Sequence, residues 1–215
     1  MLPNKKLIAS IVVVFSFALL AAQDEGKLPS GPKVGALLPS SFESFNINGP
    51  AKGRPHCLIC QFGLSPSVLI FAKEPAEGKD AAFNDLVKNL DDAMTEFDFR
   101  SFSVGVVILS PDAQDSTNNA ETDVKKLIDE AVKREKLVER LKKRAEPLKN
   151  VIVACLPEAP KKFDINPKAD VTILFYERMK MTDSWAFGAG QMQEKDVEAI
   201  VKRVKEALPI KAKKG

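Results

Sequence analysis

The residues best equipped for chemistry lie in one stretch, Arg54-Pro55-His56-Cys57-Leu58-Ile59-Cys60-Gln61-Phe62-Gly63. It holds the chain's single Cys-x-x-Cys and its one histidine. Two thiols at this spacing can exchange disulfides with a partner, close a small structural ring, or offer two soft ligands to a metal. In exchange, Cys57 would be the nucleophile and Cys60 would resolve the mixed disulfide. His56 and Arg54 would favour the thiolate, because nearby positive charge lowers a thiol's pKa. A zinc site would need two further ligands, and the remaining candidates are His56 and Cys155. Copper(I), satisfied by two thiolates, fits the residue count better. Haem attachment is excluded, since it needs histidine directly after the second cysteine and Gln61 stands there. The residues alone leave exchange, staple and metal ligation open.

No other constellation competes. There is no Ser–His–acid arrangement, no phosphate-cradling glycine loop and no carboxylate pair with useful spacing. The third cysteine, Cys155, falls in the apolar run Val151-Ile152-Val153-Ala154-Cys155-Leu156 and reads as a small core hydrophobe. Trp185 and Tyr176 sit in strand-like runs and read as packing residues.

The elements that must position the thiols follow from periodicity. Phe42 to Pro50 alternates apolar and polar residues before a turn signal, a short strand whose return arm would carry the Cys-x-x-Cys. Three contiguous apolar runs, Val68–Lys73, Ser103–Ser110 and Val151–Leu156, predict strands covered on both faces. Between them, Ala81–Phe97 carries Phe83, Leu86, Val87, Leu90, Ala93, Met94 and Phe97 at helical spacing. A longer helix from Glu121 carries Val124, Leu127, Ile128, Ala131, Val132, Val138, Leu141 and Ala145 before Pro147 ends it. Val171–Tyr176 and Met181–Phe187 predict a hairpin turning at Glu177–Lys180. A last helix from Gln193 carries Val197, Ile200, Val201, Val204 and Leu208. Right-handed crossovers make the first strands parallel, and the short turn makes the last pair antiparallel.

Lys5-Lys6, the apolar run Leu7–Ala22 and the abrupt polar Gln23-Asp24-Glu25 have the layout of a secretory signal peptide. Residues 1–22 are therefore read as the signal and 23–36 as a flexible lead-in. Residues 37–208 form the domain and 209–215 a basic tail. Export to the periplasm or beyond is expected, with an uncleaved N-terminal membrane anchor as the alternative. Losing Lys5 and Lys6 with no acid takes the formal charge from +3 to about +1. That balance lacks the clustered positive charge that nucleic acid rewards. Protein thiols and disulfides, or small thiols, are the expected partners.

The order of elements resembles the thioredoxin-like fold, a three-layer α/β/α sandwich with a mixed sheet, here with an N-terminal β-hairpin extension. Phe163-Asp164-Ile165, Val171–Tyr176, Phe187-Gly188 and the last helix are similar to thioredoxin's closing strand–strand–helix. Lys33-Val34-Gly35, Phe42 and Asn48-Gly49 are similar to the opening of peroxiredoxins. The whole most resembles uncharacterised exported thioredoxin-like proteins of planctomycete-type bacteria. The resemblance implies thiol–disulfide exchange, yet two hallmarks differ. Thioredoxins and peroxiredoxins place the reactive cysteine beyond the first core strand, where this chain has Glu74-Pro75-Ala76-Glu77-Gly78-Lys79-Asp80. Thioredoxins also carry a cis-proline where this chain has Asp170-Val171. The thiols are thus expected near the starting end of the first core strand, away from the family's usual site, unless the hairpin folds back.

Overall fold

The computed structural model describes residues 28–75, 81–97, 101–115 and 122–208. The expected signal peptide, the first part of the lead-in and the basic tail lie outside the described residues. A hairpin of β1 (Ser44–Asn46) and β2 (Pro55–His56) is followed by a single helical turn, α1 (Leu58–Phe62). Then come β3 (Ser67–Lys73), α2 (Ala81–Phe97), β4 (Ser103–Leu109), α3 (Val124–Ala145) and β5 (Ile152–Leu156). The hairpin β6 (Val171–Glu177) and β7 (Lys180–Phe187) leads into α4 (Glu194–Ala207). Gln193 and Asp196 close a reciprocal capping box at the start of α4, satisfying amide groups the helix leaves unpaired.

The seven strands form one sheet in the order β2-β1-β5-β4-β3-β6-β7. β3, β4 and β5 run parallel, while β6 is antiparallel to β3 and β7 to β6. The two crossovers β3-α2-β4 and β4-α3-β5 step the same way along the sheet. With one handedness, both must place their helix on the same face. Accordingly α2, α3 and α4 share the larger core with Val68, Ile70, Val106 and Val153. The opposite face carries a smaller core of Leu58, Ile59, Phe62, Leu69, Phe71, Val107, Phe163, Leu174 and Tyr176. Phe42, Phe71 and Phe163 meet there, with ring centroids 5.4–5.6 Å apart. The sandwich is three-layered as expected, but its second helical layer is only one turn of helix plus loops.

Three local expectations change. The Cys-x-x-Cys was expected on the return arm of the hairpin, yet that arm ends at His56 and the cysteines open α1. Of the long helix's apolar stripe, Leu141 and Ala145 are buried, together with Leu137, while Val124, Ile128 and Val132 near its start are exposed. The lead-in, expected to be loose through residue 36, is fastened from Leu28 onward. Leu28 N–H donates to the Ala186 carbonyl, Gly35 N–H to Met181, and Leu38 N–H to Met179. Ser30 Oγ lies 2.7 Å from Thr172 Oγ1, and its carbonyl accepts the Ser184 hydroxyl.

Asp91 of α2 is a buried carboxylate among apolar neighbours. Its oxygens accept the backbone N–H groups of Lys149, Asn150 and Val151 at 3.0, 2.7 and 2.8 Å. It thereby ties α2 to the turn that delivers the chain from α3 into β5. Buried backbone donors need such partners.

Candidate functional site

The thiols sit at the start of α1. Cys57 is its N-cap, in extended conformation, and its Sγ accepts the backbone N–H of Cys60 at 3.1 Å. The two cysteines form a disulfide, with Cα atoms 5.3 Å apart. The turn folds here because Leu58, Ile59 and Phe62 supply a contiguous apolar face, all three buried in the smaller core. Gly63 ends it with a positive φ of 61°, and its N–H caps the Ile59 carbonyl. The fit beneath is close. A Cβ at Gly105 of β4 would lie 3.1 Å from Leu58 and from the Phe62 ring. Glycine at this strand position is what lets α1 rest on the sheet.

Strand register locates the pair. His56 is paired with Ser44, and the next residue, Phe45, with Cys155. His56 therefore stands level with Leu156, the last residue of β5, which pairs with Leu109 at the end of β4. The hairpin does fold back, so Cys57 starts at the carboxyl-end level of the parallel strands and α1 runs back over β4. This is the case the sequence reading set apart, a hairpin that folds back, and register places His56 accordingly. Laterally, the pair lies on the side of the sheet away from β6 and β7.

The two sulfurs differ in environment. Cys57 is half-buried and packs against the smaller core, whereas Cys60 is exposed. His56 is half-buried and Arg54 exposed. The His56 backbone carbonyl accepts the Ser44 hydroxyl at 3.4 Å, and no hydrogen bond joins its ring to either sulfur. Among the described residues no three His, Cys, Asp or Glu side chains gather as a metal site.

Asn46, beneath this layer, was not singled out by the sequence. It pairs with Ala154, so its side chain shares the face that α1 covers, and it is fully buried. Both its side-chain polar atoms are without a hydrogen-bond partner. An orphaned buried amide costs about 1–3 kcal/mol. Asn46→Val is therefore expected to stabilise the domain by about 1–2 kcal/mol, read as a higher denaturation midpoint. A lower midpoint would mean that the amide serves a partner.

The end of β3 carries different chemistry. Lys73 at the end of β3 pairs with Asp170 at 2.9 Å. Glu74 holds Arg140 of α3 through two hydrogen bonds of 2.7 and 3.0 Å. A cavity of about 510 Å³ opens beside them, lined by Phe83, Val171, Phe187 and Met192 among others. No peptide bond among the described residues is cis. Around Lys73 and Asp170 the side chains offer ion pairs and an apolar hollow whose lining includes no cysteine.

Cys155 is buried on the opposite face, and burial pushes its thiol from an ordinary 9.0 up to about 11. Burial likewise raises Tyr176 from 10.0 to about 12. In each case the folded value exceeds the unfolded one. The stability owed to the neutral form is intact below the unfolded pKa and drains away as pH rises through the folded one. For Cys155 that window is pH 9–11, at about 1.4 kcal/mol per unit. Thermal midpoints should fall across it, and Cys155→Val should flatten the fall. An equal slope in the variant would assign the loss elsewhere.

No family model matches this chain, and no curated protein matches it. Solved structures do. A provisionally assigned protein disulfide isomerase from Bacteroides thetaiotaomicron superposes with a TM-score of 0.55 at 12% identity, covering 84% of this chain and 94% of its own. A provisionally assigned thiol:disulfide interchange protein DsbE from Chlorobium tepidum superposes at 0.50 with 15% identity, covering 84% and 98%. The fold is thioredoxin-like, shared with proteins of the thiol–disulfide oxidoreductase class. Among the described residues, no helix is long and apolar enough to cross a membrane.

Proposed function

We propose that this is an exported thioredoxin-like protein that exchanges thiols and disulfides through Cys57 and Cys60. The observation that carries the reading is the capped sulfur. Cys57 opens a helical turn and its Sγ accepts the Cys60 N–H at 3.1 Å. A hydrogen bond to sulfur favours the thiolate, the form that attacks and leaves in exchange. The exposed Cys60 gives a partner access, and protein thiols, disulfides or small thiols are the partners this chemistry takes. His56 would act only as a nearby auxiliary. Export rests on the leader-like residues 1–22. The likeness to planctomycete-type proteins rests on the Cys-x-x-Cys and the phenylalanine-glycine that follows it.

The test is the reduction potential of the pair in the folded protein. A value within the range of exchange proteins, about −120 to −270 mV, is expected. A value well below about −300 mV would mark a structural bridge instead. A second reading follows from the donor set, in which the reduced pair holds a metal in a non-catalytic binding module. Two thiolates without further gathered ligands suit copper(I) better than tetrahedral zinc. Metal content of the reduced protein, with Cys57→Ser as control, checks it.

A further inference from the structure

We infer that Cys60, rather than Cys57, is the sulfur that meets the partner, and that Cys57 is the protected leaving group. This rests on the exchange reading and reverses the order that the sequence suggests. Exchange requires an incoming thiolate to reach one sulfur of the disulfide and expel the other. Cys60 is the exposed member, while Cys57 is half-buried against the smaller core.

Rolling α1 to present Cys57 is opposed by its anchors. Leu58, Ile59 and Phe62 are 0%, 4% and 6% exposed, and the sheet beneath is already at close contact across Gly105. Access therefore belongs to Cys60.

The hydrogen bond decides what happens to the other sulfur. When a partner thiolate attacks Cys60 Sγ, the Cys57–Cys60 bond breaks and its electron pair goes to Cys57 Sγ. That sulfur already accepts the Cys60 N–H. A thiol whose thiolate is stabilised leaves faster. The product is a mixed disulfide on Cys60 with Cys57 as a shielded thiolate. A second thiol of a dithiol partner then attacks the partner's own sulfur and releases Cys60 as thiolate. The partner is oxidised by two electrons, the pair is reduced by two, and solvent takes up and supplies the protons. In reverse, Cys60 opens a partner disulfide and Cys57 closes the ring.

The experiment uses wild-type oxidised protein mixed briefly with cysteamine, quenched in acid and mapped by peptide mass. Cysteamine adduct on the Cys60 side is expected at least tenfold above adduct on Cys57. In parallel, reduced Cys57→Ser and Cys60→Ser are reacted with cystamine across pH, and rates are compared per thiolate. Cys57→Ser, which keeps Cys60, should form its adduct at least tenfold faster. Adduct chiefly on Cys57, or faster reaction of Cys60→Ser, overturns the assignment and leaves exchange standing. No adduct at either cysteine sinks the exchange reading and this assignment with it.

Discussion

Asp91→Ala is expected to cost about 3–4 kcal/mol, among the larger losses a single substitution produces. The carboxylate accepts three backbone N–H groups, from Lys149, Asn150 and Val151, at 2.7–3.0 Å. Asp91 is 4% exposed, and its bond to the Val151 N–H is itself buried. Hydrogen bonds to a charged group contribute about 1.5–3 kcal/mol each, and leaving the buried Val151 donor bare adds its own cost. The three bonds act as one unit, so the total falls short of their sum. Asp91→Asn keeps the shape but turns one acceptor into a donor facing other donors, so it should recover little. Urea unfolding with an unchanged m-value is the measurement. A loss under about 1 kcal/mol for Asp91→Ala would show that the turn finds other partners.

Gly105→Val is the second large effect, expected at about 2–3 kcal/mol. Valine suits a strand, so propensity alone would favour it. The obstacle is steric. A Cβ here lies 3.1 Å from Leu58 Cδ1 and from Phe62 Cε2 and Cζ, and two methyl groups beyond it would enter α1. Ile152 and Leu69, its strand neighbours by register, leave no lateral room in the smaller core. The helix must lift, and the Cys57 cap on the Cys60 N–H loosens with it. The variant should therefore lose stability and also open its disulfide to dithiothreitol faster than wild type. A stable variant with unchanged reduction kinetics would show that α1 is not seated by this contact. Gly105→Ala, adding only the Cβ, should fall between.

What could be read from the sequence was what contiguous residues decide. The apolar runs of β3, β4 and β6 and the 3.6-residue stripe of α2 are local patterns, and the structure has them at those places. A five-residue helix is different. It is too short to be stable by itself, and Leu58, Ile59 and Phe62 do not span enough turns to show a period. Its packing on the smaller core, over Gly105, together with the Cys57 and Gly63 caps, makes it helix. Asp91 was equally silent, because a charged residue between apolar ones on a helix reads as solvent-facing until the turn after α3 closes over it. That residues 74–80 hold no cysteine could be read directly. The order of the two sulfurs could not, because exposure is a property of what packs around them.

The strapped lead-in has a consequence for how this protein can associate. An outermost strand with unpaired amides invites another chain to add itself to the sheet. Here the eight residues of β7 lie under residues 28–38, which take up backbone groups at Met179, Met181 and Ala186. At the other rim, β2 is only two residues long. Among the described residues, one border is thus partly taken up and the other is short. Under the exchange reading, selectivity then falls to the side chains around the exposed Cys60.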